Sequence, residues 1–218
     1  MEALSSLSLL LGGSWASGVN LYLTSAGLGL AHRFGWISLP GDLDILAHPL
    51  VILLAVLIYA VEFFADKIPF VDSAWDSVHT FIRPLGGAAL GYLVMADTAP
   101  FIQIATAMLT GSVALDSHLT KATSRVAINT SPEPVTNSIA SVTEDVSVLG
   151  ALYLIIRHPV IISLLVILFI VFSVWFLKKM FRFLKMILRR EEPTQTVKPD
   201  EQFVTTDQQI SDENRSTT

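Results

Sequence analysis

Along the chain, apolar positions gather into long runs separated by short polar breaks, a pattern that predicts helices rather than strands. Crossing about 30 Å of hydrocarbon takes about 20 helical residues, and five to six runs approach that length. The first, Leu4 to Ala31, is laced with small residues. Gly13 with Ser17, and Ser14 with Gly18, fall four apart, the spacing that lets helix backbones approach closely. His32 to Asp44 reads as a polar loop, and His48-Pro49 opens a second helix that ends near Asp66. The third, about Ser73 to Met95, holds Arg83-Pro84 and Gly86-Gly87, which predict a kink. Pro100 opens the fourth, polar from Asp116 onward, and Asn129 to Ser141 reads as a loop. Val146 to Ile156 is then too short to cross alone and predicts a re-entrant or interfacial half-helix. His158-Pro159 opens the last span, Val160 to Leu177. The expected fold is all-α: a polytopic helical membrane protein of five to six membrane segments with kinked or re-entrant helices.

Composition agrees, since 52% of the 218 residues are hydrophobic and 15% charged, with a mean hydropathy of +0.58, too apolar for an ordinary soluble domain. The net charge of -5 arises wholly in residues 191–218, which predict a disordered acidic tail. Between the transmembrane domain, 1–177, and that tail lie residues 178–190, with six Lys/Arg and no acid. Bases at 178, 182, 185 and 189 share one helical face, so this segment predicts an amphipathic helix among lipid headgroups and a cytoplasmic C-terminus. Met1 to Ser8 has Glu2 and no base, unlike a secretory signal, so the first apolar run is kept in the mature chain. The absence of Cys excludes disulfides, zinc–thiolate and iron–sulfur sites, and thiol catalysis. HExxH, GxSxG and Gly-rich phosphate loops are also missing, so no cofactor is implied, and nothing points to nucleic acid.

The segment His48-Pro49-Leu50-Val51-Ile52-Leu53-Leu54-Ala55-Val56 resembles His158-Pro159-Val160-Ile161-Ile162-Ser163-Leu164-Leu165-Val166, and Gly13-Ser14-Trp15-Ala16 resembles Gly111-Ser112-Val113-Ala114. Three spans between the copies would make an inverted repeat, as in many secondary transporters. Apolar helices resemble one another readily, so the alternative is no repeat at all.

Charge inside the apolar runs carries the functional reading. Glu62 and Asp66 lie four apart, and Asp72, Asp76, His79 and Arg83 continue at steps of four, three and four, one acidic stripe ending in a base. A carboxylate in hydrocarbon must pair, face water or take up a proton, so these six mark a proton or ion path. Ser17 and Asn20, in the Gly-rich first run, join that path if the helix opens there and exposes backbone to an ion. A second constellation is Asp116, His118, Lys121, Arg125 and Asn129, in which His118, Lys121 and Arg125 form a basic face for an anionic group. Glu144 and Asp145 stand across the loop, where they would cap the short helix. The alternative for the first group is headgroup-level salt bridges that stabilise a helical hairpin around Ile68-Pro69, and for the second a salt-bridged loop closure. Asp72, Asp76 and His79 as a divalent-metal site is the weaker reading.

The runs Trp15-Ala16-Ser17-Gly18-Val19-Asn20-Leu21-Tyr22, Val61 to Pro69 and Asp72 to Pro84 resemble the bacterial domain-of-unknown-function family 4126. His118, Lys121, Ala122, Arg125, Asn129, Pro134, Asn137, Ser141, Glu144 and Asp145 extend the likeness, which covers about Gly12 to Leu177. The resemblance implies a multi-span inner-membrane protein and supplies no substrate. Residue chemistry favours a small proton- or cation-linked transporter or channel-like permease, with membrane lipids and a small molecule or ion as partners and a homo-oligomer to enclose the path. The alternative is a non-transporting scaffold or lipid-interacting protein, with an enzyme acting on lipids third.

Overall fold

The computed structural model describes residues 2–68, 70–129 and 134–190, and every regular element among them is helical. Helix α1 (Glu2–Ser8) passes through a π-helical turn (Leu9–Gly13) into α2 (Ser14–Val19). The expected single helix from Leu4 to Ala31 is broken at Asn20, whose φ of -149° and ψ of 98° are extended. The Asn20 side-chain oxygen accepts from the Leu23 amide at 2.9 Å, so Asn20 ends α2 and caps α3 (Leu21–Arg33). A 3₁₀ turn (Gly41–Ala47) occupies part of the expected loop and leads to α4 (Pro49–Ala65), with proline in its first turn.

Helix α5 (Val71–Val94) continues through Pro84 as one helix. Helix α6 (Pro100–Asn129) packs against it antiparallel, with Asp72 beside Asn129, Thr80 beside His118 and Gly91 beside Thr110. Small residues permit the close crossing. A Cβ on Gly87 would collide with Ala114, and one on Gly18 of α2 would land on Ser117 Oγ and the Ala114 carbonyl.

Helix α7 (Pro134–Arg157) overturns two expectations, the loop to Ser141 and the half-helix after it. Within the expected loop, residues 130–133 lie outside the described ones and 134 onward are helical. Polar residues there turn inward: Asn137 and Ser141 are fully buried. Helix α8 (Pro159–Arg190) carries the basic stretch onward as helix. The chain divides into two compact units, Met1–Met180 and Phe181–Thr218; the expected tail, 191–218, lies outside the described residues.

The first unit buries charged side chains beside an apolar core and turns many large apolar side chains outward. Its apolar core, including Leu9, Leu28, Leu43, Val148 and Val166, is joined in the interior by Glu62, Asp72, Arg83, His118 and Arg125, all at 0–1% exposure. Leu50, Leu54, Phe64, Phe81, Phe101, Met108, Leu168 and Val171 instead point outward. That arrangement suits a lipid surround. Among the described residues two helices are long and apolar enough to cross a membrane, Val135–Arg157 and Pro159–Phe183, with mean hydropathies of 1.7 and 3.1. A third crossing results if Gly41–Ala47 and Pro49–Ala65, bent by 67°, act as one.

Candidate functional site

The break at Asn20 leaves the last carbonyls of α2 without helical donors, and cationic side chains from the neighbouring helices fill that role. Arg83 Nη1 donates to Gly18 O at 3.3 Å, and Lys121 Nζ donates to Val19 O at 3.3 Å. Positive charge at the C-terminal end of a helix is also favoured by its dipole. Arg83, wholly buried on α5, pairs with Glu62 Oε1 of α4 through Nη2 and with Asp76 Oδ1 of its own helix at 3.4 Å. The stripe read from the sequence therefore folds onto itself, with its terminal base pairing two of its acids.

Lys121 and Arg125, one turn apart on α6, are held by carboxylates from the α4 end and from α7. Lys121 Nζ lies 3.2 Å from Glu144 Oε2, 3.3 Å from Asp66 Oδ2 and 3.7 Å from Glu62 Oε1. Arg125 grips Glu144 bidentately, Nε to Oε1 at 2.9 Å and Nη2 to Oε2 at 2.7 Å. Its Nη1 also donates to the main-chain carbonyls of Asp66 and Asn137, both at 3.2 Å. Glu144 and Asp145 therefore sit in the middle of α7 as cross-helix partners, not at a helix start as expected. Asp145 takes hydrogen bonds from Asn20 Nδ2 at 3.1 Å and Tyr59 Oη at 3.0 Å. Asn129 closes the far end, donating to Asp72 Oδ2 at 3.2 Å and accepting from Asn137 at 3.0 Å.

Hydrogen bonding fixes both histidine tautomers. Arg83 Nη1 has only protons to give, so His118 Nδ1, 2.9 Å away, is the acceptor and Nε2 carries the proton toward Thr80 Oγ1 at 3.0 Å. His118 is therefore neutral and belongs to no basic face. His79 donates from Nδ1 to Trp75 O at 2.8 Å, which leaves Nε2 to accept from Tyr22 Oη at 3.0 Å.

Six carboxylates, Glu62, Asp66, Asp72, Asp76, Glu144 and Asp145, meet three buried bases, Arg83, Lys121 and Arg125. Half-buried Lys67, whose Nζ donates to Phe63 O at 2.8 Å at the network's edge, brings the bases to four. Acid remains in excess. Glu62 Oε2, Asp66 Oδ1, Asp72 Oδ1 and both Asp76 oxygens accept no hydrogen bond among the described residues. Buried carboxylate oxygens in that condition are costly unless a proton or cation answers them.

The fold thus gathers the expected site residues except His79, which bonds Tyr22 and Trp75, and Ser17, whose hydroxyl turns back to Ser14 O at 3.2 Å beside Gly87. Asp116 also stands apart, accepting from Ser173 of α8 at 2.6 Å. Among the described residues no group of three or more acids or histidines is arranged to hold a metal ion. Tyr59 and Thr80 were not expected. Each lies three residues from a network member on its own helix, Glu62 and Arg83, which was the available signal.

The network's most exposed ion-paired carboxylate is Glu144, with 18% of its side chain accessible, against 5% or less for the others paired with Arg83 and Lys121. Together with Lys121 it lines a cavity of about 190 Å³ bounded by Val19, Ser117, Thr120, Ser124 and Ser147. An apolar cavity of about 330 Å³ between α7 and α8 shares Trp15, Ser147 and Phe169 with it. Of the two, the smaller reaches the charges.

The chain belongs to the family described as Domain of unknown function (DUF4126), whose model matches residues 7–179. No curated protein and no solved structure matches it. The matched span holds the whole ion-pair network.

Proposed function

We propose that this family member is a small proton- or cation-linked transporter or channel-like permease. The observation that carries the reading is a buried network with more acids than bases, built around a helix broken at Asn20. Such a network holds its charge balance only by taking up protons or cations, and exchanging them is the elementary step of coupled transport. Because Lys121 and Arg125 already face the chain's own carboxylates, the network favours a proton or cation over an anion as the species carried.

Five to six crossings agree with the same reading. Helices α5 and α6, at 24 and 30 residues, are long enough to span hydrocarbon at about 1.5 Å rise per residue, and their charges turn inward. The six bases of residues 178–190 favour a cytoplasmic C-terminus and an inner-membrane location. The test is ion flux into proteoliposomes under imposed proton and cation gradients. Wild type should carry a flux that Glu62→Gln abolishes while the variant still purifies as a folded protein. Flux unchanged by Glu62→Gln would sink the reading.

A scaffold or lipid-binding role draws support from the basic face of α8, with Lys178, Arg182, Lys185 and Arg189 in helical register. Deleting residues 178–218 separates the two, since flux that survives the deletion favours the transporter.

A further inference from the structure

Three cations hold the network, and they are held differently. Arg83 and Arg125 are locked by planar forks, Arg125 bidentately on Glu144 and Arg83 across Glu62, Asp76, Gly18 O and His118. Lys121 is a point charge on a flexible four-carbon stem, set among Glu144 Oε2, Asp66 Oδ2, Val19 O and Glu62 Oε1 at 3.2–3.7 Å. Three carboxylates and one carbonyl freed by the helix break thus surround an ammonium group.

That cage has a way in. The 190 Å³ cavity touches Lys121 and Glu144. It is large enough for a small ligand. Four hydroxyls line it, and each has given its proton away to a carbonyl: Ser117 to Trp15 O at 2.9 Å, Thr120 to Asp116 O at 2.9 Å, Ser124 to Thr120 O at 2.8 Å and Ser147 to Glu144 O at 2.6 Å. Any polar character they turn to the cavity is therefore acceptor only. These four hydroxyls offer acceptors to a ligand that donates and does not accept, as an ammonium ion does. Glu62 Oε2 and Asp66 Oδ1, on fully or almost fully buried carboxylates that already face Lys121, accept no hydrogen bond and add acceptor capacity to the cage.

We propose that the cage around Lys121 Nζ is an exchangeable site for a small primary ammonium ion, which enters through the Ser117–Thr120–Ser124–Ser147 cavity and displaces the Lys121 head group. The inference rests on the transporter reading and names its cation class. The cage holds an –NH₃⁺ at its present spacing. Displacement swings Lys121 toward the cavity and leaves one added positive charge in an acid-rich network.

The experiment is equilibrium binding of radiolabelled methylammonium to the full chain in lipid nanodiscs, with potassium and rubidium as competitors. Wild type should bind saturably. Lys121→Ala should bind at least about tenfold more tightly, because the competing head group no longer holds the cage for most of the time. Thr120→Leu, which fills the cavity without touching the ion pairs, should reduce wild-type binding at least about tenfold, a drop that keeps the test decisive should Lys121→Ala misfold. Binding to Lys121→Ala alone would make Lys121 a permanent structural cation and overturn the proposal, as would preference for potassium over methylammonium or indifference to Thr120→Leu. A Glu62-dependent proton flux with no methylammonium binding would remove this inference and leave the transporter reading standing.

Discussion

Removing a base from this network should cost far more than neutralising an acid. Arg83→Met keeps most of the side-chain volume and deletes every donor, stranding Glu62 Oε1, Asp76 Oδ1, Gly18 O and His118 Nδ1. Breaking a buried ion pair from one side costs about 3–5 kcal/mol, and a buried acceptor left unmade costs about 1–3 kcal/mol, with strong non-additivity. We expect about 5 kcal/mol, comparable to the whole stability of a marginal domain. Glu62→Gln keeps the shape and the oxygen facing Arg83, which retains Asp76, and it removes a charge of the sign already in excess. We expect about 1 kcal/mol. The double variant should be more stable than Arg83→Met alone, because it removes the carboxylate that Arg83→Met strands. Reversible unfolding in mixed micelles measures all four proteins. A cost for Glu62→Gln equal to that for Arg83→Met, or no recovery in the double variant, would refute the charge accounting.

Three further perturbations have defined outcomes. Asn20→Ala removes the α3 cap and an Asp145 partner, and should cost about 1–2 kcal/mol and speed amide exchange at Leu23. Gly18→Ala drives a methyl group into Ser117 Oγ and the Ala114 carbonyl, and should destabilise by about 1–3 kcal/mol in thermal unfolding, part of it recovered by adding Ser117→Gly. A water-soluble carbodiimide should modify Glu144 well before Glu62, as read by peptide mass spectrometry, because Glu144 alone of the two reaches the cavity; equal rates would contradict that route of access.

Charge spacing made the site legible before the fold. Glu62 and Asp66 at the end of one helix, then Asp72, Asp76 and Arg83 along the next, announce an acidic stripe, and the spacing of Lys121 and Arg125 announces a basic one. What periodicity does not convey is that the two stripes face each other. Read alone, a basic face looks made for an external anion, whereas the carboxylates of Asp66 and of Glu144 on α7 already meet it. Helix α7 was obscured for the same reason, since Asn137 and Glu144 read as loop chemistry until their partners across the bundle are known. The break at Asn20 was half legible, as an Asn in a Gly-rich run. Its consequence, two carbonyls offered to Arg83 and Lys121, depends on α5 and α6 arriving beside it.

If exchangeable protons or cations answer the excess acid of this network, as we propose, the carboxyl groups themselves should report it. Infrared difference spectroscopy of the protein in lipid, between proton-rich and cation-rich buffers, reads them. We expect a protonated-carboxyl band that shifts in deuterium oxide, falls as cations are added and changes in Glu62→Gln. A spectrum without any protonated-carboxyl band under both conditions, from a protein that binds no cation, would contradict the proposal.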